Sequence, residues 1–63
     1  MKLAIIIPAH NEQDNILDVI NEVTSSLDMP YELIVVNDHS VDSTAELVRQ
    51  VSRRYSNIKL VEN

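Results

Sequence analysis

The sequence predicts an α/β fold: strands and helices in the order β-α-β-α-β, a parallel sheet of strand order 3-2-1, and three layers. Three observations predict it. Two continuous apolar runs rich in β-branched residues, Leu3-Ala4-Ile5-Ile6-Ile7 and Leu33-Ile34-Val35-Val36, read as strands buried on both faces. Two stretches carry apolar residues at spacings of three and four, as amphipathic helices do. A short run, Ile58-Lys59-Leu60-Val61, follows the second of them. Strands that alternate with helices imply a parallel sheet joined by right-handed crossovers.

The first strand spans residues 3–7, and Pro8 ends it because proline cannot donate to a ladder. The first helix carries Ile16, Val19, Ile20, Val23 and Leu27 on one stripe. Asn11 is its expected N-cap, with Glu12 and Asp14 in the first turn, where carboxylates suit the helix dipole. Asp28-Met29-Pro30 closes it, since the residue before proline avoids the helical region. Tyr31 and Glu32 lead into the second strand, over 33–36, and a polar loop over 37–42 follows. The second helix spans about 43–55, with Ala45, Val48, Val51 and Tyr55 on one face and Leu47 beside them. Asp42 or Ser40 is positioned to cap it, and Arg53 and Arg54 suit its C-terminal end. The third strand spans 58–61. Glycine is absent, so Asn11, Asn37, Asp38 and His39 are the residues expected to take positive φ in the turns.

Composition narrows the function classes. At 63 residues the chain is shorter than a usual domain. It has no cysteine, hence no disulfide and no thiolate metal site, which fits a cytoplasmic setting. The net charge is -5, and Lys2, Arg49, Arg53, Arg54 and Lys59 are its only Lys or Arg residues. That balance argues against nucleic acid and against anionic lipid as partners. No apolar run approaches the ~20 residues of a membrane span. The apolar start is read as a strand, because a polar run follows Pro8 at once and no small-residue cleavage site appears.

A β-α-β-α-β chain is one mononucleotide-binding half of a doubly wound sheet, whose ligands sit beyond the carboxyl ends of the strands. Two polar segments fall there, Pro8-Ala9-His10-Asn11-Glu12 and Asn37-Asp38-His39-Ser40. There is no G-x-G-x-x-G and no Walker A sequence, which argues against a dinucleotide or a P-loop nucleotide. Glu12 and His10 suit a base or a ribose hydroxyl better than a phosphate, which Glu12 would repel. Asp38 suits a base N–H or a ribose hydroxyl. Plainer readings stand beside these: Glu12 as a first-turn acid, Asp42 as a helix cap, Tyr55 as packing. Nothing in the spacing of His10, Asp38 and His39 resembles a dedicated metal site.

The same two segments carry a family resemblance. Ile5-Ile6-Ile7-Pro8-Ala9-His10-Asn11-Glu12 resembles the "IPAYNE" opening of family 2 glycosyltransferases, and Val35-Val36-Asn37-Asp38-His39-Ser40-Val41-Asp42-Ser43-Thr44 is similar to that family's "VVDDGSTDGT" segment. Order and spacing both fit over essentially the whole chain, most nearly in the style of the dolichyl-phosphate mannose synthase branch. The resemblance implies the N-terminal half of a Rossmann-like GT-A domain, here a partial domain over 1–63. It implies inverting transfer of a sugar from a nucleotide-diphosphate donor. Carried over by position, Pro8, His10 and Glu12 line the base and ribose pocket. Asp38 bonds the base or ribose, and Asn37 and Ser40 support the loop. His10 stands where tyrosine is common, Asn37 replaces the first of two aspartates, and His39 replaces a glycine.

The resemblance also implies what lies elsewhere. The family's D-x-D motif and catalytic base come later in its sequence, and Asp38-His39-Ser40 lacks the second aspartate. The divalent cation (Mg or Mn) is therefore expected of a longer parent enzyme and not of this fragment, which holds no catalytic residue and is expected to be inactive alone. A membrane or lipid acceptor is expected only through downstream regions, at the cytoplasmic membrane face. The alternative is a non-catalytic α/β module that forms a homodimer through its exposed sheet edge, because three strands leave edges open.

Overall fold

A computed structural model of the chain describes residues 3–39 and 41–62. It contains β1 (Leu3–Ala9), α1 (Ile16–Ser26), β2 (Tyr31–Asn37), α2 (Thr44–Arg54) and β3 (Ile58–Glu62). The sheet is parallel, with β2 central between β1 and β3, which is the expected 3-2-1 order seen from the other edge. The register aligns Ile5 with Leu33, Ala9 with Asn37 and Leu33 with Ile58.

Alternation along β2 shows which face is covered. Leu33, Val35 and Asn37 are buried, while Ile34 and Val36 between them are half-buried. The core joins Leu33, Val35, Ala9 and Ile58 to Ile16 and Ile20 of α1 and Val48 of α2. Both helices thus lie on one face. Right-handed crossovers that step repeatedly in one direction place every helix on the same side. The sequence reading of three layers, with strands buried on both faces, is corrected among the described residues to one helical layer on one sheet face. Ile6 is 66% exposed on the other face.

Pro8 does not end β1, which runs on to Ala9. The Leu3 N–H donates to the Pro30 carbonyl and the Ala9 carbonyl accepts the Asp38 N–H, so odd-numbered residues of β1 hydrogen-bond toward β2. Alternation turns the Pro8 nitrogen to the outer edge of the sheet, where no donor is needed.

The start of α1 also differs from expectation. Asn11 has φ 51°, a left-handed conformation unlike the extended one an N-cap adopts. The chain makes a turn first, with the Asn15 and Ile16 N–H groups both donating to the Glu12 carbonyl, and α1 begins at Ile16. It ends at Ser26, before Leu27, and the hydroxyls of Thr24, Ser25 and Ser26 donate back to carbonyls of the preceding turn. Val19, expected on the buried stripe, is exposed; Ile16 and Ile20 form the buried line. In α2, Thr44 and Val48 are buried. Tyr55, expected on the packed face, is half exposed. It follows the helix with the Arg54 guanidinium over its ring and lines a cavity of about 230 Å³ with Leu17, Tyr31 and Val51. Arg49 ties α2 to β3 by donating to Glu46 at 2.8 Å and to Glu62 at 3.0 Å.

Positive φ occurs at Asn11 and His39, two of the four residues expected to supply it; Asn37 and Asp38 do not take it. His39 holds φ 51°, a conformation a glycine would adopt at no steric cost.

The two faces of the sheet differ in what substitution costs. Leu33→Ala, in the sealed core, lowers stability by about 2–5 kcal/mol, whereas Ile6→Thr on the uncovered face stays within about 0.5 kcal/mol. Urea unfolding midpoints of the two variants against wild type measure the contrast.

Candidate functional site

The carboxyl ends of β1 and β2 are adjacent because those strands pair in register, and the loops leaving them, residues 10–15 and 38–43, meet beyond the sheet edge. Asp38 joins them first. Its N–H donates to the Ala9 carbonyl at 2.8 Å. Its own carbonyl lies 2.5 Å from His10 Nδ1. A carbonyl carries no proton, so Nδ1–H is the donor and Nε2 is left to accept, which it does from Asn11 Nδ2 at 3.4 Å. The His10 ring is thereby held in one tautomer and one orientation.

With its backbone tied on both sides, Asp38 turns its carboxylate outward, 62% exposed, with His39 Nδ1 3.9 Å away. His10 is exposed too. Glu12 is half-buried, and Pro8 is exposed at the end of β1, on the face away from the helices. Asn37 is 5% exposed, at the foot of its loop among core residues. Ser40 lies outside the described residues. The structure thus brings His10, Glu12 and Asp38 to one edge, sets Pro8 on the other sheet face, and seats Asn37 beneath.

The loops are further joined by residues that sequence reasoning passed over or saw only as local caps. Thr44 is fully buried; its hydroxyl accepts the Glu12 N–H at 2.8 Å and donates to Asp42 Oδ1 at 2.5 Å. Asp42 also accepts the Thr44 N–H at 3.0 Å and, through Oδ2, the Gln13 N–H at 3.3 Å. Gln13 Oε1 accepts the Ser43 N–H at 3.0 Å, and Asn11 Oδ1 accepts the Val41 N–H at 2.8 Å. The expected cap role of Asp42 is present, and it extends to the other loop. Neither Asn15 nor Ser43, the residues that precede the helices, makes a side-chain cap of its own. The only sequence signal for these partners was their polarity, since each partner lies some 30 residues away.

Electrostatically the edge is acidic. The Thr44 hydroxyl, then the N–H groups of Thr44 and Gln13, hold the Asp42 carboxyl below the usual carboxylate range, outweighing the opposing effect of burial. The cations among the described residues, Arg49, Arg53, Arg54 and Lys59, belong to α2 and β3; Arg49 pairs with Glu46 and Glu62, and Lys59 with Glu32. Among the described residues no group of three or more His, Asp or Glu side chains is placed to hold a metal ion.

Two variants probe the joint between the loops. Thr44→Val deletes a buried hydroxyl and strands the Glu12 N–H, lowering stability by about 1–3 kcal/mol, while Thr44→Ser keeps both bonds and costs less. Thermal unfolding of the pair reads the difference. Asp42 has a folded pKa depressed below its unfolded value, so its contribution is complete above that unfolded value and is lost as pH falls through the folded one. The stability gap between wild type and Asp42→Asn is therefore flat above about pH 4 and closes below it, as urea midpoints across an acid series will show.

Residues 4–63 match the family described as Glycosyl transferase family 2. The chain is 39% identical over 61 residues to the glycosyltransferase AglE of Haloferax volcanii, covering 94% of this chain and 20% of that protein. It is 34% identical to a poly(ribitol-phosphate) beta-glucosyltransferase of Bacillus spizizenii, covering 98% of this chain and 10% of the relative. It is 36% identical to a dolichol-phosphate mannosyltransferase of Pyrococcus furiosus, covering 87% and 16%. The chain thus spans a fifth or less of the length of these relatives. No solved structure matches it significantly. With a match that runs from β1 through β3 and takes in both loops at the carboxyl edge, the chain belongs to glycosyl transferase family 2.

Proposed function

We propose that this chain is the nucleoside-binding part of an inverting glycosyltransferase that uses a nucleotide-diphosphate sugar donor. The observation that carries the reading is the joining of the His10–Asp38 pair at the carboxyl edge of adjacent parallel strands, in a chain of this family. The exposed Asp38 carboxylate accepts a base N–H or a ribose hydroxyl. The His10 ring, held by the Asp38 carbonyl, forms one wall of the pocket. Glu12 accepts a ribose hydroxyl, Pro8 shapes the rim, and Asn37 and Ser40 support the second loop.

The charge pattern supports a division of labour. Glu12, Asp38 and Asp42 make this edge a poor seat for a diphosphate, and no described Lys or Arg lies in either loop. The described residues do not gather the ligands for the divalent ion that would neutralise such a leaving group. Transfer also needs a base to take the acceptor's proton, a role that falls to none of these 63 residues. The 63 residues alone therefore bind donor without turning it over. Relatives named for dolichol phosphate and undecaprenyl phosphate make a lipid-linked acceptor the reading for a longer protein. Contact with a membrane would come through other segments; among the described residues no helix is long and apolar enough to cross one.

A second reading, a module that self-associates without catalysis, is favoured by one observation. β1 is an outer strand of the sheet, and its Ala4 and Ile6 amides point outward by the alternation set out above. Sedimentation that finds a stable monomer at high concentration sinks it.

Calorimetry of the chain with UDP- and GDP-sugars, with Mg or Mn present, tests the first reading: one of them raises the unfolding temperature. Stabilisation by none of them would overturn it. Asp38→Ala weakens the interaction by about 1–3 kcal/mol, as loss of a hydrogen bond to a charged acceptor does.

A further inference from the structure

Each loop takes backbone amides of the other. Here the Ser43 N–H goes to Gln13 of the first loop, and the Glu12 and Gln13 N–H groups, ahead of α1, go to Thr44 and Asp42 of the second. The Val41 N–H goes to Asn11. These four bonds all cross between segments about 30 residues apart.

The pattern has a fixed sense. The Thr44 hydroxyl proton is committed to Asp42, so its oxygen must accept from Glu12. Gln13 gives its backbone N–H to the second loop and receives a backbone N–H in return, so sliding one loop past the other breaks two bonds at once. One of the four bonds, from Glu12 to Thr44, starts behind the exposed groups. Thr44 is fully buried, whereas His10 and Asp38, assigned to the ligand, stand outside.

We propose that Asn11, Gln13, Asp42 and Thr44 form a clamp that fixes the spacing of the two loops and thereby sets nucleoside affinity; this rests on the nucleoside reading above. They are positioning residues, acting through His10 and Asp38. A spacing set before the ligand arrives spares the ordering cost of binding.

The test uses Gln13→Met, which keeps the aliphatic length at an exposed position and removes the acceptor for Ser43. Thr44→Ser, which keeps both hydroxyl bonds, is the conservative control. Amide hydrogen exchange is followed by NMR at Ser43 and Val41, with Leu33 and Val35 as core references, and UDP and GDP are titrated with Mg present. In Gln13→Met, exchange at Ser43 rises while the core references do not move, and the Kd of whichever nucleotide wild type binds rises roughly 3- to 10-fold. Thr44→Ser follows wild type in both readouts. Unchanged exchange at Ser43 overturns the clamp, and so does raised exchange with an unchanged Kd. If wild type binds neither nucleotide, the nucleoside reading fails, and exchange at Ser43 still decides whether the loops are clamped.

Discussion

The Thr44 hydroxyl lies between two segments that the chain separates by 32 residues, accepting the Glu12 N–H and donating to the Asp42 carboxylate. Most of the carboxyl edge follows from that position. A fully buried hydroxyl needs its bonds made within the protein, and both are made here. The one to Glu12 fixes where the first loop turns. From that turn the Glu12 carbonyl takes the Asn15 and Ile16 amides, and α1 begins. The one to Asp42 fixes the carboxylate that takes the Thr44 and Gln13 amides. Both helices therefore leave the sheet from one shared polar joint. Among the described residues no buried side-chain nitrogen or oxygen lacks a hydrogen bond.

The sheet places this joint. Because β1 and β2 pair in parallel with Ala9 beside Asn37, their loops leave side by side on the same edge. An antiparallel pair would send them to opposite ends. The hydrophobic core below, from Leu33 and Val35 to Ile16, Ile20 and Val48, keeps the helices against the one covered face. The opposite face carries Ile6, Ile34, Val36 and Val61 with the Lys59–Glu32 ion pair across it, and no described element packs there. An apolar sheet face of this kind is the surface on which a second layer forms in doubly wound folds.

Charge separates the two ends of the functional reading. Carboxylates gather at the loops, and the described cations lie along α2 and β3. An uncharged base or ribose suits such an edge, and a diphosphate does not. His39 shows how the loop tolerates its departure from the family pattern: it takes the left-handed backbone that a glycine would, a conformation histidine enters more readily than most residues. The side chain is carried into solvent.

Hydrophobic periodicity and the apolar runs determined the element order, the parallel sheet and the two loops where a ligand belongs, because each is written in residues close together in the chain. Asp42 as a cap was legible for the same reason, being two residues from the amide it takes. The family was legible in the two loop segments themselves. Tertiary structure alone decided that both helices share one face, since that depends on the direction in which strands are added. It alone decided that Asn11 holds Val41 instead of capping α1, and that Thr44 and Gln13 belong to the site at all. Those bonds join residues about 30 apart, and a polar side chain in a loop carries no mark of which distant amide the folded sheet will bring to it.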